Sequence, residues 1–556
     1  MLMRSYLFAI IFLPAIIILP SQRECSAETV TRKIEGGPRV VVDYHPGSPA
    51  VCIAVSVGAG SAVETPRTRG ITHFIEHMAF NGSERFSREQ ISDWVDREGV
   101  FLNAFTRAEN TVFFLLVRNE LAGEGIEVLS EMLLHSVFAP SEVEKEKDII
   151  MEEIRETMDN PRHARGRLVQ RYLYRGSGLA SPVLGYPETV GNISREELIE
   201  YYGKYYTPSN MTVFVMGGLS SRKACGMVGD FFYSPVKASG EVFAPGGKVR
   251  WSNRLAVRDN TGYAPGLDLL IKISGGRSLV ERMAAGTVIS SLLSSGSFPL
   301  AGRLNEAGVN PPEVSIDIQD NFCALRMSFT CSEGSSGRLK DIPEMLRELS
   351  SWEPGSGRVQ SAVTAHLSSD MFDREKYHYY IMLHGELMAS LGGSYFTEYL
   401  GEIEKVDRGS VRDILRESFS EMEFNGCLLR RDEKIDSGNY PSPQIEVLDN
   451  GTRIASIRRE GSGLAALNIL LDGGNCAVDS GEAGMPILLH RVLEVAAAGD
   501  GLDETFRGMG ARVSWGDNPY IPMDDYLLNP SFSFIRLEAP LPSFEEAAEL
   551  LIGHIT

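Results

Sequence analysis

Cysteine is scarce in this sequence, and the few that occur stand apart. There are seven in 556 residues, with no CxxC pair. Such a chain is not a disulfide scaffold. Cleavage after Ala27 would remove Cys25 and leave Cys52, Cys225, Cys323, Cys331, Cys427 and Cys476, which read as buried thiols rather than nucleophiles or ligands. Positive charge is also short: 54 Lys and Arg face 74 Asp and Glu, for a formal charge of -20. A nucleic-acid binder needs the opposite balance to displace counterions. Long apolar runs are missing but for one, from about Tyr6 to Leu19. Pro14 interrupts it, and it falls short of the roughly 20 residues that a membrane span needs. No later segment could cross a bilayer. There is no P-loop, and Ser295-Gly296-Ser297 lacks the full nucleophile-elbow pattern, so phosphate-loop and serine hydrolase chemistry have no support.

What is present begins at the N-terminus. Arg4, the apolar run, and Cys25-Ser26-Ala27 before Glu28 follow the order of a secretory signal over residues 1–27. The mature chain is therefore expected to be exported, periplasmic or secreted, with no stable membrane span after cleavage. An uncleaved N-terminal anchor is the alternative. Apolar residues make up 43% and charged residues 23%, the balance of a folded protein, and the length exceeds what one core can organise. Two Pro/Gly/Ser-rich stretches, Ser234–Gly247 and Asp432–Gln444, divide the mature chain into 28–235, 236–440 and 441–556. Alternating strand-like and helical runs in the first two pieces give an α+β class.

The first and third pieces resemble one another. Sliding Gly36–His77 onto Asn450–Arg491, a constant offset of 414, superposes Gly37, Arg39, Gly47, Ser48, Gly60 and Gly70 on Gly451, Arg453, Gly461, Ser462, Gly474 and Gly484. His73, Glu76 and His77 meet Ile487, His490 and Arg491 instead. The third piece is thus expected to be a degenerate repeat of the first, and a partial one, since it ends soon after the run FEEAAELLIGHI.

Chemistry concentrates in HFIEH, His73 to His77. On a helix bounded by Gly70 and by Asn81-Gly82, positions i and i+4 share a face, so both imidazoles can reach one ion. Glu76 lies beside them, placed to hold a water without joining the ligands. HxxEH arises by chance on the order of once in a hundred chains of this composition. Catalytic zinc typically takes three protein ligands and keeps one position open. The run APSEVEKEKDIIMEEIRETMDNP offers the third on another helix, for which Ser141 and Glu144 read as a capping box. Glu146 and Glu153, seven apart, share a face with Ile149 and Ile150 between them. Spacing alone leaves Glu152 and Glu153 both open.

HFIEHMAFNGSERFS, LNAFTRAENTVFF, EKEKDIIMEEIRETMDNP and YYGKYYTPSNMTVFVMGG together resemble the pitrilysin/insulinase family of inverted-zincin metallopeptidases, which includes the mitochondrial processing peptidases. The resemblance covers about Gly36 to Leu219 strongly and the third piece recognisably. It implies repeated domains, each a mainly antiparallel sheet packed with helices, two complete and a third truncated. The family's spacing selects Glu153, 76 residues after His77, as the third Zn2+ ligand, with one ion per chain. It makes Glu146 an auxiliary residue orienting a histidine and Glu76 the general base. It also implies that substrate adds as a strand along Leu102–Thr106, so Asn103, Ala104 and Phe105 are the expected substrate-binding residues; an ordinary interior hairpin is the other reading. The expected substrate is an unfolded peptide or small polypeptide. Three alternatives stand beside the enzyme: a non-catalytic scaffold subunit, a module that captures peptides without cutting, and a peptidase half active only as a homodimer or with a complementary half.

Overall fold

A computed structural model gives the fold. It describes residues 28–233, 248–259, 265–276, 278–294, 298–319, 322–332 and 334–430, then 444–447, 453–456, 464–472, 485–515 and 532–555. The expected signal segment and all of the two punctuating stretches except Gln444 lie outside the described residues. The chain falls into two compact units, Met1–Ile435 and Asp436–Thr556.

Six strands form the first sheet: β1 (Glu28–Lys33), β2 (Arg39–Tyr44), β3 (Ala50–Val57), β4 (Phe101–Thr106), β5 (Thr111–Arg118) and β6 (Met211–Gly217), in the order β1-β2-β6-β3-β5-β4. Only β2 and β6 run parallel. β3 reads AVCIAVSV, with no apolar–polar alternation, because both faces of the sheet are covered. Ile53 and Val55 share a core with Phe74, Ile75 and Met78 on one face. Cys52 and Ala54 share another with Ile381 and Met388, from the helix Tyr377–Leu391, on the opposite face. Among the described residues β4 lies at the edge, paired with β5 alone. The turn between them is Arg107–Asn110.

The helices of this first layer include α1 (Ile71–Ala79), α2 (Arg88–Glu98), α3 (Ala122–Leu134), α4 (Pro140–Asp159) and α5 (Pro161–Leu173). One expectation fails. The Ser141/Glu144 capping box does not form: α4 begins at Pro140, its N-cap is Ala139, and no side chain caps it. Proline fixes φ and needs no N–H partner, so it takes the first helical position and draws Ser141 inside the first turn. Ile149 and Ile150 also part company, the first 43% exposed and the second fully buried.

A second sheet follows in the same unit: β7 (Arg254–Asp259), β8 (Gly266–Lys272), β9 (Glu313–Gln319), β10 (Phe322–Thr330) and β11 (Phe424–Arg430), in the order β7-β11-β8-β10-β9. α5 ties the layers together. Arg165 donates to the fully buried Asp268 on β8 at 2.5 Å, and Asn425 on β11 donates to the Leu173 carbonyl at 2.8 Å. The α+β class read from the sequence is the class observed.

The second unit holds β12 (Gln444–Val447) paired with β13 (Arg453–Ser456), and a sheet of β14 (Leu464–Asp472), β15 (Arg512–Trp515) and β16 (Phe532–Pro540) in the order β14-β16-β15. That order matches β3-β5-β4. β13, β14 and the helix Met485–Gly499 each begin 414 residues after β2, β3 and α1.

Candidate metal centre

α1 starts abruptly. Gly70, at φ 95°, turns the chain into the helix in a conformation that only glycine adopts without strain. No N-cap side chain follows, and the buried carboxylate of Glu64 does the capping from six residues upstream. It accepts from Gly70 N–H at 2.9 Å and from Thr72 N–H at 3.0 Å, where the helix dipole favours a negative group. Burial pushes the Glu64 carboxyl up to about 7, against those bonds and Arg69. The Thr72 hydroxyl meets Tyr201 Oη at 2.8 Å. The helix is therefore anchored just ahead of its first histidine.

His73 is 7% exposed, and its ring stands 4.7 Å from that of His77, nearly edge-on. The partner carboxylate comes from α4: Glu153 Oε2 lies 3.6 Å from Nε2 of each histidine. His73, His77 and Glu153 form the group among the described residues whose donor atoms all fall within 4.8 Å of one another. His77 Nδ1 donates to Glu146 Oε2 at 3.0 Å, and Arg88 approaches the other Glu146 oxygen at 3.5 Å. That bond orients the ring so that Nε2 faces Glu153 and would offer its lone pair to a metal once its proton leaves.

The groups of the cluster shift one another's proton affinity. Burial, then the His77 charge, lowers His73 to about 4. For His77, burial opposes the charge but loses to hydrogen bonds and attraction from Glu146 and Glu153, which raise it to about 9. The hydrogen bond from His77 is the chief reason that Glu153 stays below the ordinary glutamate range. A proton on His77 occupies the place that a metal would take.

The residues fit zinc. Two imidazole nitrogens and one carboxylate oxygen are a typical catalytic donor set, and three donors about 2.1 Å from one tetrahedral centre stand about 3.4 Å apart. The observed separations from Glu153 Oε2 are 3.6 Å. Glu76 is not among these donors. It turns toward β4, where the Thr106 hydroxyl donates a short hydrogen bond to its Oε2. Burial raises the Glu76 carboxyl and the Glu153 charge adds to it, against Thr106, His77 and Arg107.

The expected substrate residues sit on the edge strand. Asn103 is exposed, and its Oδ1 takes up the Ala104 N–H at 2.8 Å. The Phe105 ring is partly buried, 6.1 Å from Phe114 and so near the helix Tyr377–Leu391 that a Cβ at Gly385 would lie 3.1 Å from it. The sequence reading missed Glu64, Thr106, Arg88 and Tyr201. Thr106 and Tyr201 each had a signal, their places inside LNAFTRAENTVFF and YYGKYYTPSNMTVFVMGG.

An HxxEH helix facing a glutamate-bearing helix, on repeated sheet-and-helix layers, is the architecture of an inverted-zincin type of protein. The family description "Insulinase (Peptidase family M16)" matches residues 39–186, and "Peptidase M16 inactive domain" matches 192–348. Together they span more than half of the chain, which belongs to the insulinase family. An uncharacterized zinc protease of Bacillus subtilis is 37% identical over 186 residues, 34% of this chain and 46% of the relative. The mitochondrial-processing peptidase subunit beta of Neurospora crassa is 29% identical over 215 residues, 39% of this chain and 45% of the relative. The matched segments span about half the length of these relatives. A Helicobacter pylori protease superposes with TM-score 0.63 at 18% identity, covering 73% of this chain and 100% of that one. The periplasmic protease PqqL of Escherichia coli superposes with TM-score 0.55 at 15% identity, covering 95% of this chain and 66% of that one.

Proposed function

We infer that this chain is an exported zinc metalloendopeptidase acting on unfolded peptides. The observation that carries the reading is the convergence of His73, His77 and Glu153, with Glu76 beside them and held by Thr106. His73, His77 and Glu153 would hold the ion. A zinc ion so held supplies Lewis acidity, polarising a carbonyl oxygen and acidifying a water. Glu76 does the proton work: its carboxylate takes a proton from the attacking water and delivers it to the departing amine nitrogen. Burial raises its proton affinity, as that task requires. Glu146 holds His77 in the metal-binding tautomer. The unpaired edge of β4 offers main-chain groups to an extended peptide, with Asn103, Ala104 and Phe105 as the contact residues; main-chain pairing of this kind favours unstructured substrates.

Export rests on the order of charge, apolar run and small residues in 1–27, and among the described residues no helix is long and apolar enough to cross a membrane. One relative is by its name a subunit, which supports work beside a second copy or a complementary half. The test is zinc content together with cleavage of a quenched unstructured peptide. Glu76→Gln should keep about one zinc per chain and lose on the order of a thousandfold in kcat; His77→Ala should lose the metal. A fully active Glu76→Gln chain would remove Glu76 as the base. Specific activity that rises with chain concentration marks the paired form.

A further inference from the structure

The turn after β4 carries a cation that the proton chemistry does not use. Arg107 follows Thr106, the residue bonded to Glu76, and its positive charge acts on the Glu76 carboxylate. Its backbone is fixed on both sides. Arg107 N–H donates to the Asn110 carbonyl at 2.8 Å, and its own carbonyl accepts from Ser61 N–H at 3.2 Å. Ala62 N–H donates to the Ala108 carbonyl at 2.7 Å. This approach is so close that a Cβ at Gly60 would lie 2.4 Å from both carbonyl oxygens. The cation is thus built in place rather than carried on a loose loop.

The side chain is steered as well. Its guanidinium carbon sits 5.1 Å from the centre of the Phe105 ring, and its Nε is 3.9 Å from Glu386 Oε2 on the helix Tyr377–Leu391. The Arg107 side chain remains 49% exposed, and among the described residues its terminal nitrogens have no hydrogen-bond acceptor. Glu386 attracts the Nε side of the fork, and the other edge is open. An open guanidinium edge suits a planar carboxylate. Its neighbours Glu76 and Glu386, and a chain charge of -20, otherwise repel acidic peptides.

We propose that Arg107 is a specificity-determining residue, receiving a substrate carboxylate at the Glu76 end of the edge strand. The proposal rests on the peptidase reading given above. The carboxylate comes from an acidic side chain near the cleaved bond or from the peptide's C-terminus. A plain strut between the turn and the second-layer helix is the competing role, and binding selectivity separates the two.

The experiment uses the full zinc-loaded chain carrying Glu76→Gln, with fluorescent unstructured peptides read by anisotropy. The peptides differ at one position at a time, Glu against Gln against Lys, each with a free or an amidated C-terminus. At one position, or at the free terminus, the carboxylate form should bind about fivefold tighter than its neutral counterpart, the range of a half-exposed ion pair. Adding Arg107→Gln should bring that ratio to one, Arg107→Lys should keep part of it, and Arg107→Glu should favour Lys. A ratio unchanged in Arg107→Gln overturns the proposal, as does a parent chain with no carboxylate preference. So does a lower melting temperature in Arg107→Gln with selectivity intact, which assigns the strut. Failure of the chain with Glu76 intact to cut any peptide would sink the hydrolase reading alone, because the binding ratio is measured without turnover.

Discussion

At the scale of single residues, the centre works through pairs in which one group fixes the state of another. His77 is the clearest case. Its Nδ1 is committed to Glu146, so its Nε2 is aimed at Glu153 and the place a metal would take. Glu146 is 5% exposed and therefore cannot be replaced by water at little cost. Glu146→Ala should weaken zinc binding by roughly 10–100-fold while His73 and Glu153 remain, the usual penalty for losing a histidine's orienting partner. Competition with a chromophoric chelator measures it; unchanged affinity would mean that Glu146 serves only in packing. Glu76 shows the other kind of pairing. It belongs to α1 but is held by Thr106 of β4, so the proposed base is positioned by the strand that would receive substrate.

At the scale of elements, the start of α1 carries a pH dependence. Glu64 caps it while fully desolvated, and its carboxyl rises to about 7 from 4.5. A raised carboxyl binds its proton more tightly folded than unfolded. Below about 4.5 both states are protonated and the group is neutral in the balance. As pH rises through 4.5 the unfolded chain ionises first, and folded stability falls until the folded carboxyl ionises near 7. Relative to Glu64→Gln, the parent should lose up to about 3 kcal/mol between these limits, read by denaturant unfolding at several pH values. A constant difference would show that Glu64 ionises in the folded chain as it does in the unfolded. α4 is the complementary element. Ile150 and Ile154 are fully buried, while Glu146 and Glu153 reach the histidines from the same helix, so core packing sets where the third donor stands.

For the whole molecule, the first unit is two sheets that share an apolar core, with a part-buried ion pair between the layers. Asp268 has no exposed surface, and Arg165 of α5 reaches it across the layers. Ser328 also donates to Asp268 at 2.8 Å, but a hydroxyl does not neutralise a carboxylate. Arg165→Met should therefore cost about 3–5 kcal/mol, because it strands a buried charge. The double change Arg165→Met with Asp268→Leu should recover much of that loss. A single variant as stable as the parent would show that the layers hold by apolar packing alone.

The sequence by itself determined the chemistry-bearing set and its helical phasing. Two histidines four residues apart must share a helix face, whatever surrounds them, and Glu146 and Glu153 two turns apart must do the same. It also marked the 414-residue repeat, because the matching glycines keep their spacing within each copy. It misjudged the start of α4, since Ser141 and Glu144 match a capping box and only the backbone shows Pro140 in the first helical position. Tertiary structure alone decided what crosses from one element to another: Glu64 capping a helix from upstream, Thr106 holding Glu76, and Glu386 steering Arg107 over 279 residues of sequence. Local periodicity fixes which way a side chain faces along its own element. It carries no record of the neighbour that packing brings opposite.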